Sequence, residues 1–330
     1  MRQPHLSRRA LLAGGAAVAA LAGCGATPDP EPVRDTPEQA LARTLIADKE
    51  RTIALYSALI AGGDDELVGL RDHHQAHLAE LRRRYPDLAT RPPGPTTSAS
   101  PATPTASPTA SPTSTPTMTP GRMRALERKS AARRPAQLAG VAPALAQLVA
   151  SMGACEILHA ATTAAAAVKP PQPPPAASGA DPADVEKLRK ALAAEHAAVF
   201  AYGLLGARTS GSLRARLTRA FDAHRDRRDE LRALITARGG EPAEPQASYA
   251  LPSIPSSGPA AARLAAHVET GLTASYLELV AAADVALRRY AAVAMQETVL
   301  RGHSFRAGPA TAFPGMPVPA APTPTPSPSG

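Results

Sequence analysis

Apolar positions along this chain recur mostly three and four residues apart, the period of a helix with one buried face. Ile46, Ile53 and Ile60 form such a line, with Glu50 on it, between a start at Thr36-Pro37-Glu38 and a stop at Gly62-Gly63. A second helix opens on Asp64-Asp65-Glu66 and carries Leu67, Leu70, His74, His77 and Leu81 in phase, so two imidazoles take inward places. In this phase His73 points elsewhere. A third helix, over 121–139, has Met123, Glu127 and Leu138 roughly on one side and is weakened or kinked by Pro135. The run 142–168 is almost wholly Ala, Leu, Val and small residues, and reads as a buried fourth helix. Its stripe of Leu145, Val149 and Met152 leads into Glu156 and His159, three apart and hence nearly on one side.

The same plan repeats in the second half. A helix over 183–208 carries Glu195. The next, over 212–238, has Leu217, His224, Arg227, Leu231 and Leu234 in phase. A third has Glu269, Leu272, Tyr276 and Leu279 in line, and a fourth, over 285–306, has Tyr290, Val293, Glu297 and Leu300. The segments 71–81 and 221–231 align, pairing His74 with His224 and His77 with Arg227. Between the helices lie Pro-rich stretches: a Thr/Ser/Pro crossover at 87–120 and a tail at 307–330, both expected to be disordered, a linker at 169–182 and a second crossover at 239–258.

Composition supports an all-α fold. Aromatics make up only 3% of the 330 residues and Trp is absent, so few segments have the richness of strands. The 36 prolines cluster in the linkers, outside helix interiors. The net charge of +8 shrinks once the three arginines of residues 1–23 are set aside, leaving 33 basic against 28 acidic residues. No basic block interleaves with aromatics, which argues against nucleic acid as a partner.

Residues 1–23 have the form of an export signal. Ser7-Arg8-Arg9-Ala10-Leu11-Leu12 resembles a twin-arginine motif, and Leu21-Ala22-Gly23-Cys24 resembles a bacterial lipobox. That resemblance implies lipid on Cys24, a tether over 24–35, and anchorage on the outer face of the cytoplasmic membrane. Cys155 is then the one thiol left, and no intramolecular disulfide forms.

An unpaired carboxylate on an apolar stripe costs several kcal/mol or more unless a partner, an opposite charge or a metal compensates. Glu-x-x-His on an inward face is also the ligand motif of ferritin-like di-metal bundles. The chain resembles bacterial exported lipoproteins with ferritin-like domains of unknown function: tandem four-helix bundles over 36–168 and 183–306. The resemblance implies a first-bundle site of Glu50, His74, His77, Glu127, Glu156 and His159, suited to Fe, Mn or Zn. His74 stands where the family has Glu, which puts a bridged di-iron centre in doubt and makes a single metal or an asymmetric pair an equal alternative. In the second bundle Glu195, Glu269 and Glu297 keep the carboxylates, while His224 and Arg227 replace ligands. Arg cannot ligate a metal, so the expectation there is a charge cluster in which Arg227 bridges at least two of the three Glu. Two functions follow: a metal-binding domain with oxidase, peroxide or metal-handling chemistry, or a structural or interaction lipoprotein with vestigial sites.

Overall fold

In the computed structural model the described residues are 35–90, 118–161, 168–175, 181–306, 308 and 311–317. The leader, Cys24, most of the first crossover and the tail beyond Pro317 lie outside them. Among the described residues there are long helices, turns and no strand, so the fold is all-α.

The first bundle is α1 (Pro37–Ala61), α2 (Val68–Arg84), a four-residue α3 (Asp87–Thr90), α4 (Pro120–Arg133) and α5 (Pro143–Ala160). The second is α6 (Pro182–Ala207), α7 (Gly211–Thr236), α8 (Gly258–Val280) and α9 (Val285–Phe305). Starts follow the capping chemistry in the sequence. Thr36 forms a reciprocal capping box with Gln39 ahead of Pro37. Thr119, Asp181 and Ser257 cap α4, α6 and α8, each just before a Pro in the first turn. Pro135 does not kink a continuous helix. The chain tightens instead into a 3-10 turn, Arg134–Leu138, whose first residue, Arg134, is buried on the same face as Glu127.

α5 ends at Ala160, short of the expected 168, and residues 162–167 lie outside the described set. Nearly every α5 side chain from Leu145 to Ala160 is buried, as a helix apolar all round requires. Its neighbours explain this, for it packs on α4 within its own bundle and on α8 and α9 of the other. One apolar cluster therefore runs through both bundles, from Leu45, Leu81 and Val149 to Leu272, Tyr276 and Met295. Polar side chains cross the same seam to backbone carbonyls. Arg288 donates to the carbonyls of Leu138 (3.2 Å) and Val141 (2.7 Å), and Gln296 donates to that of Ala131 (2.9 Å).

Residues 311–317 differ from the disordered tail expected there. Phe313 and Met316 pack on the shared core, Ser151 donates to the carbonyl of Pro314, and Gly315, at φ 79°, lies against Thr273 and Leu277. Proline kept this segment from forming a helix but left its apolar side chains free to dock.

Candidate metal centre

Glu156 lies fully buried on α5. Arg134 holds it in a fork, Nε to Oε2 at 2.9 Å and Nη2 to Oε1 at 2.6 Å, and Lys49 Nζ donates to Oε1 at 2.5 Å. Burial pushes the carboxyl up, but Arg134 and Lys49 outweigh it and hold it down at about 2. The compensation that a buried carboxylate demands thus comes from two cations.

Lys49 is itself buried and donates to His74 Nδ1 at 3.1 Å. An ammonium only donates, so Nδ1 accepts and the ring proton sits on Nε2. Nε2 then donates to Glu127 Oε1 at 2.7 Å. Burial and Lys49 push His74 down to about 4, despite the pull of Glu127. Glu127 Oε1 also accepts from Tyr56 Oη at 2.7 Å and faces His159 Nδ1 at 3.5 Å. Burial raises the Glu127 carboxyl, yet His74 and His159 together take it well below its ordinary range. The other ring nitrogen of His159, Nε2, lies 3.3 Å from Cys155 Sγ and 2.9 Å from His73 Nδ1. Burial lowers His159, but Cys155 and Glu127 prevail and push it up to about 10.

Of the six ligands expected, His74, Glu127 and His159 converge, with one ligand atom from each lying within 4.8 Å of the others. Glu156 is adjacent but already paired. His77 is buried, with Nε2 on the carbonyl of Ala312, Phe313 against its ring edge-on, and no partner on Nδ1 among the described residues. Glu50 is not part of the site: its side chain is 48% exposed and pairs with Arg82 at 2.7 Å. The inward place on α1 belongs to Lys49, because a helix turns about 100° per residue and one position moves a side chain off the stripe. His73, expected on another face, instead meets His159 end to end, at 5.2 Å between centroids with ring nitrogens 2.9 Å apart and 13° between planes. His73, Cys155 and His159 form a second group whose ligand atoms are mutually close.

The second bundle repeats the arrangement with other residues. His224 lies between Glu195 (Nδ1, 2.7 Å) and Glu269 (Nε2, 3.0 Å), as His74 lies between Lys49 and Glu127. Tyr202 donates to Glu269 at 2.6 Å and Tyr276 to Glu195 at 2.5 Å, so each Tyr serves the Glu of the other helix. Arg301 adds a contact to Glu269 at 3.2 Å. Arg227 does not bridge the three glutamates as expected. Among them it pairs only with Glu297 (2.6 Å), and it also donates to Glu230 (3.0 Å) and lies over the Tyr290 ring. The bridging cation is His224: burial lowers it, but Glu195 and Glu269 push it up to about 9.

Comparing the halves shows a signal that a single-helix reading misses. Lys49 and Tyr56 are seven apart, like Glu195 and Tyr202, while Glu127 and Arg134 repeat the spacing of Glu269 and Tyr276. That register marks Lys49 and Arg134 as site positions and excludes Glu50. It also decides a chemical question. A bridged di-metal centre needs a carboxylate where the first bundle has Lys49 and needs Glu156 free, whereas Arg134 and Lys49 occupy it, so these residues do not fit one.

Residues 187–318 match the sequence profile of a family described as a domain of unknown function (DUF4439). That region spans most of the second bundle and the docked tail segment. A solved structure, that of a conserved hypothetical protein, rv2844, from Mycobacterium tuberculosis, is similar at 31% identity and a TM-score of 0.36, covering 37% of this chain and 94% of that one. No curated protein matches the chain.

Proposed function

We propose that the first bundle binds a single transition-metal ion beside His159, and that the second bundle is a metal-free structural copy of it. The observation that carries this reading is the convergence of buried His74, Glu127 and His159, with Cys155 and His73 on the far nitrogen of the same His159. Mixed imidazole, carboxylate and thiolate donors suit Fe, Mn, Zn or a softer ion. Lys49 and Arg134 disfavour a second ion, so the chemistry is the holding or handling of one metal, without di-iron oxidation. A bound ion stabilises the fold by mass action. Added metal should therefore raise the unfolding midpoint of the wild type and of Glu50→Ala, and leave His159→Ala unmoved. A second reading, a purely structural protein, has one observation in its favour: Lys49 and Arg134 already balance Glu127 and Glu156 in charge. Absence of any metal-dependent stabilisation would select it.

The same proposal places the mature chain outside the cytoplasm, on the membrane through lipid at Cys24, on the strength of the twin-arginine and lipobox-like motifs. Cys24→Ser should abolish metabolic labelling by fatty acid, and unchanged labelling would rule the anchor out.

A further inference from the structure

We infer that His73, Cys155 and His159 are the donors of this centre, and that it takes a monovalent soft ion, Cu(I). The inference rests on the proposed metal function and gives it a ligand set and a metal. Cys155 and His159 stand four apart on α5, which places them one above the other on a single face. His73 reaches them from α2. The three donor atoms are separated by 2.9, 3.3 and 3.8 Å. A circle through points so spaced has a radius of about 2 Å, the length of a metal–nitrogen bond and a little less than that of a metal–thiolate bond. An ion near its centre would touch all three once the two imidazoles, which now meet nitrogen to nitrogen almost in one plane, move apart and turn those nitrogens toward it. Cys155 and His159 are fully buried and His73 only partly, so the ion has a route in past His73.

Two further features decide what fits. Thiolate with imidazole selects soft ions, copper above all where three donors stand together, as they do here among the described residues. Charge then separates the soft candidates. Cys155 and His159 hold one proton that a metal would displace, whether as thiol with imidazole or as thiolate with imidazolium. When the metal–sulfur and metal–nitrogen bonds form, that proton passes to water, no electron moves, and a monovalent ion leaves the net charge unchanged. A divalent ion would leave one uncompensated positive charge in an interior where Lys49 and Arg134 are already balanced by Glu127 and Glu156. Glu127 takes a different part in this arrangement from the one the helical pattern suggested. It faces His159 Nδ1 and, fixed by Tyr56 and His74, orients the ring so that Nε2 meets the ion.

The test uses the reduced mature chain from Gly25, in which Cys155 is the one thiol, titrated anaerobically with Cu(I) against a chromophoric Cu(I) chelator. One equivalent should bind. Cys155→Ser and His73→Ala should each weaken binding by roughly 100-fold or more, and Glu127→Gln by roughly 10- to 100-fold, as for an outer-shell partner. Glu50→Gln should change nothing. X-ray absorption of the Cu(I)-loaded wild type, which needs no variant to fold, should show one sulfur neighbour. Equal affinity in wild type and Cys155→Ser, or a shell without sulfur, overturns the inference. If Fe(II), Mn(II) or Zn(II) still stabilises the protein in that case, the metal function stands with other ligands. Cys155-dependent binding that prefers Zn(II) overturns the monovalent assignment, and a wild type that binds none of these ions overturns both readings.

Discussion

Glu156 accepts three hydrogen bonds from Arg134 and Lys49 with no access to water, whereas Glu50 meets one arginine at the surface. Removing one partner of a buried pair leaves an uncompensated charge and costs about 3–5 kcal/mol. A surface pair is worth about 1 kcal/mol at most. Chemical denaturation should accordingly show Glu156→Ala strongly destabilised and Glu50→Ala almost unchanged. Comparable losses would mean that the α1 register described above is wrong. His224 gives a pH signature. Its pKa is about 9 when folded and about 6.5 in an unfolded chain, so its ion pairs contribute fully below pH 6.5 and fade as pH rises through 9. The stability gap between wild type and His224→Gln should narrow by up to about 3 kcal/mol between pH 6.5 and pH 9.5. A constant gap would show that His224 folds neutral.

At the scale of elements, the helices were legible because capping residues, prolines and the 3.6-residue period agreed. The site was legible only in part. His74, Glu127, Glu156 and His159 stood out as polar residues on apolar stripes. Lys49 did not, since a lysine beside Asp48 and Glu50 looks like part of a solvated run. Arg134 did not either: it keeps the seven-residue step from Glu127, but as the second of two adjacent arginines before Pro135 it looks like part of a solvated helix end. The approach of the 3-10 turn to α5 depends on Gly153. A Cβ there would lie 2.9 Å from both Cβ and Cγ of Arg134 and 3.2 Å from Gln296 Nε2. Gly153→Ala should destabilise by about 1–3 kcal/mol through overpacking. Gly271→Ala, on an exposed helical face with nothing within 4 Å, should stabilise by about 0.5–1 kcal/mol. Thermal unfolding of the two variants should move in opposite directions, and a neutral Gly153→Ala would show that Arg134 can withdraw from α5 at little cost.

The packing of the whole molecule was the least readable level. Arg288 and Gln296 cross between bundles to backbone carbonyls, which every sequence possesses, so no complementary side chain announces the seam. The all-round apolarity of α5 was visible, but its second partner was not. The docked tail was hidden by its proline-rich composition. What the two bundles share is a plan, a histidine held between partners on two neighbouring helices; what separates them is the far end of the site. There the first bundle has His159 beside Cys155 and His73, and the second has Leu300 in the place of His159. A single metal centre per chain follows from that difference. Metal stoichiometry of the full mature chain, measured for wild type, His159→Ala and His224→Ala, tests this most directly. The account predicts one ion per chain in the wild type and in His224→Ala and none in His159→Ala; two ions per wild-type chain, or binding that survives His159→Ala and is lost in His224→Ala, would contradict it.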